Sequence, residues 1–117
     1  MKIEKFISTG SQMCNLGKHE WSVPRLFELS KNLPVMDIPL NHLNVYHCYE
    51  KLTLRDMVSH FQAISRADMK YPIILDEDGE IMDGRQRIMR ALMHGDVSIK
   101  AVRFDKNPSP CSVLDED

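Results

Sequence analysis

Along the chain, apolar positions change period several times, and each change marks an element. From Pro24 the residues Leu26, Leu29 and Leu33 recur at helical spacing, with Pro24 suited to a first turn and Pro34 ending the run, so a short helix is predicted. Met36-Asp37-Ile38-Pro39-Leu40 then reads as a strand whose proline places it at a sheet edge or at the strand's end. Asn41 to Lys51 is polar and aromatic without a period and is expected to be a loop. Thr53-Leu54-Arg55-Asp56 has the pattern of a helix start, with Thr53 as N-cap and Asp56 as its reciprocal partner. Met57, Phe61 and Ile64, with Val58 beside them, give this helix an apolar stripe to about Ser65.

Tyr71-Pro72-Ile73-Ile74-Leu75 is rich in β-branched residues, and Pro72 pushes its predecessor toward extended backbone, which predicts a strand. Asp78-Gly79 is a hairpin signal, and Ile81-Met82 would return antiparallel. Asp83-Gly84-Arg85-Gln86 opens a further helix, with Ile88, Ala91 and Leu92 as its buried face and Gly95 closing it. A last strand is expected over Val97 to Phe104. Residues 1–20 carry Ser8-Thr9-Gly10-Ser11 and Gly17 with little period, so they read as a flexible arm, with a short strand around Ile3 to Ile7 and Trp21 stapling the arm to the core. Residues 105–117 read as an acidic, mobile tail, which leaves 21–104 as the domain. The expected fold class is a small single-domain α+β fold, a mixed sheet with three helices.

A chain of 117 residues supports one hydrophobic core, and 43% hydrophobic with 27% charged residues excludes disordered and fibrous classes. The net charge of −2 and a pI near 6.2 do not suit a surface built throughout to neutralise DNA, so any nucleic-acid role would need a local patch. No apolar run reaches membrane-spanning or signal-peptide length, and a cytoplasmic location without membrane contact is expected. Three widely spaced cysteines, Cys14, Cys48 and Cys111, are expected to be reduced, and His42, His47 and Cys48 lack the ligand spacing of a zinc site. The acidic stretch Asp76 to Glu80 is excluded as a calcium loop, because placing Gly79 at the required glycine puts Ile74 and Arg85 at ligand positions.

The segment with most chemistry is Asp83-Gly84-Arg85-Gln86-Arg87. A helix N-terminus offers unpaired N–H groups and the positive end of its dipole, Gly84 allows a ligand close to the backbone, and Arg85 and Arg87 supply forks that match phosphate oxygens. Between Gly84 and Lys106 six basic residues face two acidic ones, an excess that favours an anion. The competing structural reading makes Asp83 the helix cap, with Gln86 closing a capping box and the arginines solvated. No serine stands beside a base at triad spacing. His47 and His60 are the candidate bases.

The order of elements, together with Ile38-Pro39-Leu40, Pro72-Ile73-Ile74-Leu75-Asp76 and Gly79-Glu80-Ile81-Met82-Asp83-Gly84-Arg85-Gln86-Arg87, resembles the ParB/sulfiredoxin-like family over roughly Met36 to Phe104. The resemblance implies a nucleotide pocket, for ATP or another nucleotide with or without magnesium, in which Gly84 and Arg87 match the family's glycine and arginine at the phosphates. Asp83, Arg85 and Gln86 flank them, and Arg55 faces the nucleotide. Sulfiredoxin-like members carry a catalytic cysteine where this chain has Arg85, so sulfinic acid reduction has no nucleophile here. Partition-type members carry glutamate and paired arginines after the glycine and a helical DNA-binding domain beyond. The thirteen residues after Phe104 are too few for a helix-turn-helix, and DNA partition by this chain alone is not expected.

Other members are kinases or hydrolases with Asp-Gly-His-His-Arg at the turn, where Gln86 here cannot carry a proton. The expected function is a regulatory module that binds a nucleotide or phosphorylated small molecule. Two alternatives stay open: an ATP-dependent small-molecule kinase or hydrolase with Glu50 as catalytic base, and a nucleic-acid-binding protein or nuclease acting through Arg85, Arg87, Arg90, Lys100 and Arg103. A homodimer through the face that a loose arm leaves exposed also stays open.

Overall fold

The computed structural model describes residues 13–45 and 53–113. Their elements in chain order are β1 (Met13–Leu16), β2 (His19–Ser22), α1 (Val23–Ser30), β3 (Met36–Pro39), a 3-10 turn (Leu40–His42), α2 (Leu54–Ser65), β4 (Ile73–Leu75), β5 (Ile81–Asp83), α3 (Arg85–Met93), β6 (Ser98–Arg103) and β7 (Ser112–Val113). The larger sheet has the order β3-β6-β4-β5, with β4 parallel to β6 and the other pairs antiparallel. A smaller sheet, β1-β2-β7, is antiparallel throughout. This is the α+β class expected, with three helices and a mixed sheet.

The central strand β4 explains how the layers stack. Ile73, Ile74 and Leu75 are all buried, because both faces of the sheet are covered. Ile73 and Leu75 point into one cluster with Ile81, Ile99 and Ala101 from the sheet, Ile88 and Ala91 from α3, and Leu40 and Leu43 from the segment around the 3-10 turn. Ile74 points the other way, among Val102, Met82, Phe104, Cys14, Trp21 and Leu26. The second face is thus roofed by the β1-β2 hairpin and α1.

Local chemistry accounts for the boundaries that sequence anticipates. Asp56 N donates to Thr53 Oγ1 at 3.0 Å and Thr53 N donates to Asp56 Oδ2 at 3.1 Å, the reciprocal box at the start of α2. In the β4-β5 hairpin, buried Asp76 accepts from both Asp78 N and Glu80 N at 2.8 Å. β3 sits at an edge, as its Pro39 requires.

Several expectations are corrected. Residues 13–20, read as part of a flexible arm, begin a β-hairpin that buries Cys14 and Trp21, while the strand expected around Ile3 to Ile7 lies outside the described residues. The segment read as a mobile tail is held at residues 108–113. Trp21 Nε1 donates to Pro108 O at 2.9 Å, Cys111 N to Glu20 O at 2.7 Å, and Ser112 Oγ to Glu20 Oε1 at 2.7 Å. β2 and β7 are about ninety residues apart, so no local pattern announces their pairing. Helix α1 starts one residue before Pro24, with Ser22 as N-cap accepting from Arg25 N, and it buries Leu26 and Ser30 while Leu29 is exposed. Leu92 is likewise exposed. On α2 only Ile64 is fully buried, and Met57, Val58 and Phe61 stay open to solvent.

Trp21 carries the contact between the hairpin and the large sheet and also holds the C-terminal segment. Trp21→Ala is expected to destabilise the fold by about 3–5 kcal/mol and to make the segment after Lys106 more sensitive to proteases. Urea unfolding monitored by circular dichroism and limited proteolysis check both effects.

Candidate functional site

Asp83 is the last residue of β5, and the chain turns into α3 at Gly84, whose φ of 113° and ψ of 18° lie in the region that favours glycine. Its second requirement is space. A Cβ on Gly84 would lie 2.5 Å from Ile73 Cγ2 and 2.8 Å from Ile73 Cβ. The glycine therefore lets the start of α3 settle on the central strand.

Asp83 does not cap the helix. Its Oδ2 accepts from Arg87 Nη2 at 2.9 Å, an ion pair one helical turn long, and the same nitrogen reaches Pro72 O at 3.5 Å. The capping box considered from spacing is thus overturned: the N-cap is Gly84, which has no side chain to offer, and the first intrahelical bond runs from Ile88 N to Gly84 O at 3.0 Å. The backbone N–H groups of Arg85, Gln86 and Arg87 lack helical acceptors by construction, and no side chain caps them. Together they form the positive end of the α3 dipole.

In front of this turn lies an open hollow of about 220 Å³, lined by Met13 from β1, Val23 from α1, and Met82, Asp83, Gly84, Arg85 and Gln86. Arg85 is exposed and makes no hydrogen bond or ion pair to another described residue. Gln86 is half-buried beside it. Arg87 is turned inward instead: its side chain is 17% exposed, and its Nε is buried without a hydrogen-bond partner among the described residues. The two arginines, alike in sequence, thus have different positions. Arg85 belongs to the hollow, and Arg87 belongs to the clamp that holds the turn.

The remaining candidates do not converge on this place. Arg55 stands exposed in the first turn of α2 and does not line the hollow. Glu50 and His47 lie outside the described residues. The basic residues are dispersed and engaged: Arg90 Nη1 donates to Ser65 O at 2.9 Å and Ala67 O at 3.2 Å, Arg103 Nη2 to Glu77 O at 2.9 Å, and Lys100 pairs with Asp37 at 3.0 Å. Arg90 in this way meets carbonyls at the negative end of α2. Among the described residues no group of three or more His, Cys, Asp or Glu is placed to hold a metal ion.

Sequence reasoning missed Cys14. β1 brings this thiol beneath the turn, within reach of the charges of Arg85, Asp83 and Asp76. The thiol is not activated as a nucleophile. Burial pushes its pKa up to about 11, against which Arg85 pulls it down only in part, while Asp83 and Asp76 push it further up. Nothing in the sequence around Cys14 could have located it, because its neighbourhood arises from a hairpin without a strong strand pattern. Comparison with protein-family models, with curated proteins and with solved structures returned no match.

Chemically, three N–H groups and a guanidinium without a hydrogen-bond or ion-pair partner among the described residues suit a compact oxyanion. The hollow is smaller than the ~300–1,000 Å³ that encloses a drug-sized ligand, so it fits a phosphate group, and a nucleotide's base and sugar would lie over the adjoining surface.

Two predictions follow from the turn. Gly84→Ala should cost about 2–4 kcal/mol, combining left-handed backbone strain with the clash against Ile73, and urea denaturation measures it. The raised Cys14 pKa gives a stabilising contribution present in full below pH 9, the ordinary thiol value, and lost as pH rises toward 11. From pH 8 to pH 10.5 the unfolding free energy from urea titration should therefore fall further for the wild type than for Cys14→Ala, by about 2 kcal/mol.

Proposed function

We propose that the turn from β5 to α3 binds the phosphate of a nucleotide or another phosphorylated small molecule, and that the chain acts as a regulatory module of the ParB/sulfiredoxin-like type. The observation that carries this reading is the start of α3 at a glycine without a side-chain cap, beside an arginine that makes no hydrogen bond or ion pair to another described residue. An anion at this point would accept from the N–H groups of Arg85 and Gln86 and from the Arg85 guanidinium, with the Gln86 amide as a further donor.

Arg87 is assigned here to positioning. By pairing with Asp83 it neutralises the one carboxylate in the hollow's lining and fixes the angle at which α3 leaves the sheet. The family resemblance implies a different role, in which the matching arginine meets the phosphates.

A regulatory role is favoured over catalysis because the described residues that line the hollow, Met13, Val23, Met82, Asp83, Gly84, Arg85 and Gln86, include no nucleophile and no free proton carrier, the one carboxylate being tied to Arg87. A nucleic-acid reading draws less support, since Arg87, Arg90, Lys100 and Arg103 are each engaged within the fold.

Calorimetric titration with ATP, ADP, CTP, GTP and inorganic phosphate, each with and without magnesium, tests the proposal. Saturable binding is expected for at least one of them, and Arg85→Met should weaken it about tenfold to a hundredfold, as loss of a charge-assisted contact of about 1.5–3 kcal/mol implies. Absence of binding to all five, or binding that Arg85→Met leaves unchanged, would overturn it.

A further inference from the structure

Helix α2 presents a surface that the described residues of a single chain leave uncovered. Leu54, Met57, Val58 and Phe61 are large, apolar and 82%, 40%, 54% and 55% exposed. They recur at intervals of three, one and three residues, so they form one stripe along two turns of a helix about 18 Å long. The stripe lies beside the line of Ile64, the residue that α2 does bury. Scattered surface leucines are ordinary, but four adjoining side chains of this size make a continuous apolar patch.

The spacing is the same when read from either end. A helix with positions 54, 57, 58 and 61 laid antiparallel on its own copy, with the two-fold axis between Met57 and Val58, sets Leu54 against Phe61 of the second copy and Met57 against Val58. All four side chains are then covered at once. The polar flank agrees. Arg55 and Gln62 border the stripe on one side, and the antiparallel register brings each guanidinium beside an amide oxygen rather than beside another cation.

The area suits a reversible contact. The exposed parts of the four side chains amount to on the order of 400 Å² per copy. Two stripes and their flanks together remove roughly 1,000 Å², the lower edge of specific association, where complexes are weak and transient.

We propose that α2 is a homodimer interface, formed by Leu54, Met57, Val58 and Phe61 of two copies packed antiparallel. It does not depend on the phosphate site. The two regions share no residue, so ligand binding and association are separately measurable.

Sedimentation equilibrium of the full chain from about 1 μM to about 500 μM provides the test. The expected result is a concentration-dependent monomer–dimer equilibrium, with Leu54→Glu and Phe61→Glu each shifting the midpoint at least tenfold upward while the thermal melt of the monomer stays in place. Geometry is read from disulfide cross-linking. In a Cys48→Ser, Cys111→Ser background, Val58→Cys, next to the axis, should form a covalent dimer on mild oxidation, and the exposed control Val97→Cys should not. A chain that stays monomeric throughout, a dimer indifferent to both glutamates, or a monomer melt that falls in Leu54→Glu and Phe61→Glu because the stripe is covered within the same chain would each overturn the proposal.

Discussion

Gly84 and Ile73 are packed so closely that the rest of the large sheet and α3 depend on their contact. The central strand β4 contributes Ile73, the turn contributes a backbone with no Cβ, and the Asp83–Arg87 pair spans them from above. From this point α3 can lay Ile88 and Ala91 across the sheet, and the cluster they share with Leu40, Leu43, Ile99 and Ala101 follows. The clamp has a cost, since the buried Nε of Arg87 has no partner among the described residues, worth about 1–3 kcal/mol of desolvation. The ion pair, one-quarter exposed at its carboxylate, offsets part of that cost. What the arrangement secures is a helix start at a fixed angle, with its N–H groups directed away from the core.

The opposite face of the sheet depends on a second constraint, a roof assembled from distant segments. Trp21, Cys14 and Leu26 cover Ile74 and Val102, and the roof is held at its far edge by residues 108–113. The hairpin closes one side of the hollow in front of α3 through Met13, and α1 closes another through Val23. The candidate site is therefore a product of both layers. The turn alone supplies donors, and only the roof turns the space before them into a cleft.

Much of this was legible from sequence where a local rule sufficed. The Thr53 and Asp56 box, the continuous apolar run of β4, the hairpin at Asp78-Gly79 and the edge position of Pro39 each follow from chemistry within a few residues. The β1-β2-β7 sheet was not legible, because its strands are two to four residues long and its stabilising contacts join Trp21 to Pro108 and Glu20 to Ser112. The site was legible in part. Asp83, Gly84, Arg85 and Gln86 do line one hollow, but the sequence gives no means of telling Arg85 from Arg87. An arginine four residues after an aspartate fits a helix-face ion pair as well as a ligand contact, and only the inward turn of Arg87 separates the two.

Helix α2 shows the same limit from the other direction. Periodicity records that one face of a helix avoids water, and it is silent on what covers that face. In α3 the apolar positions Ile88 and Ala91 are covered by the sheet of the same chain, whereas in α2 the equally regular Leu54, Met57, Val58 and Phe61 lie outside both core clusters. Ile64 stands one heptad beyond Met57 on nearly the same line of α2 and is buried, and at that end of the helix Arg90 meets the carbonyls of Ser65 and Ala67. Among the described residues the burial of α2 is thus concentrated toward its C-terminal end, and the stripe nearer its N-terminus is left open. The open stripe keeps a regular spacing, which a second helix of the same sequence can match.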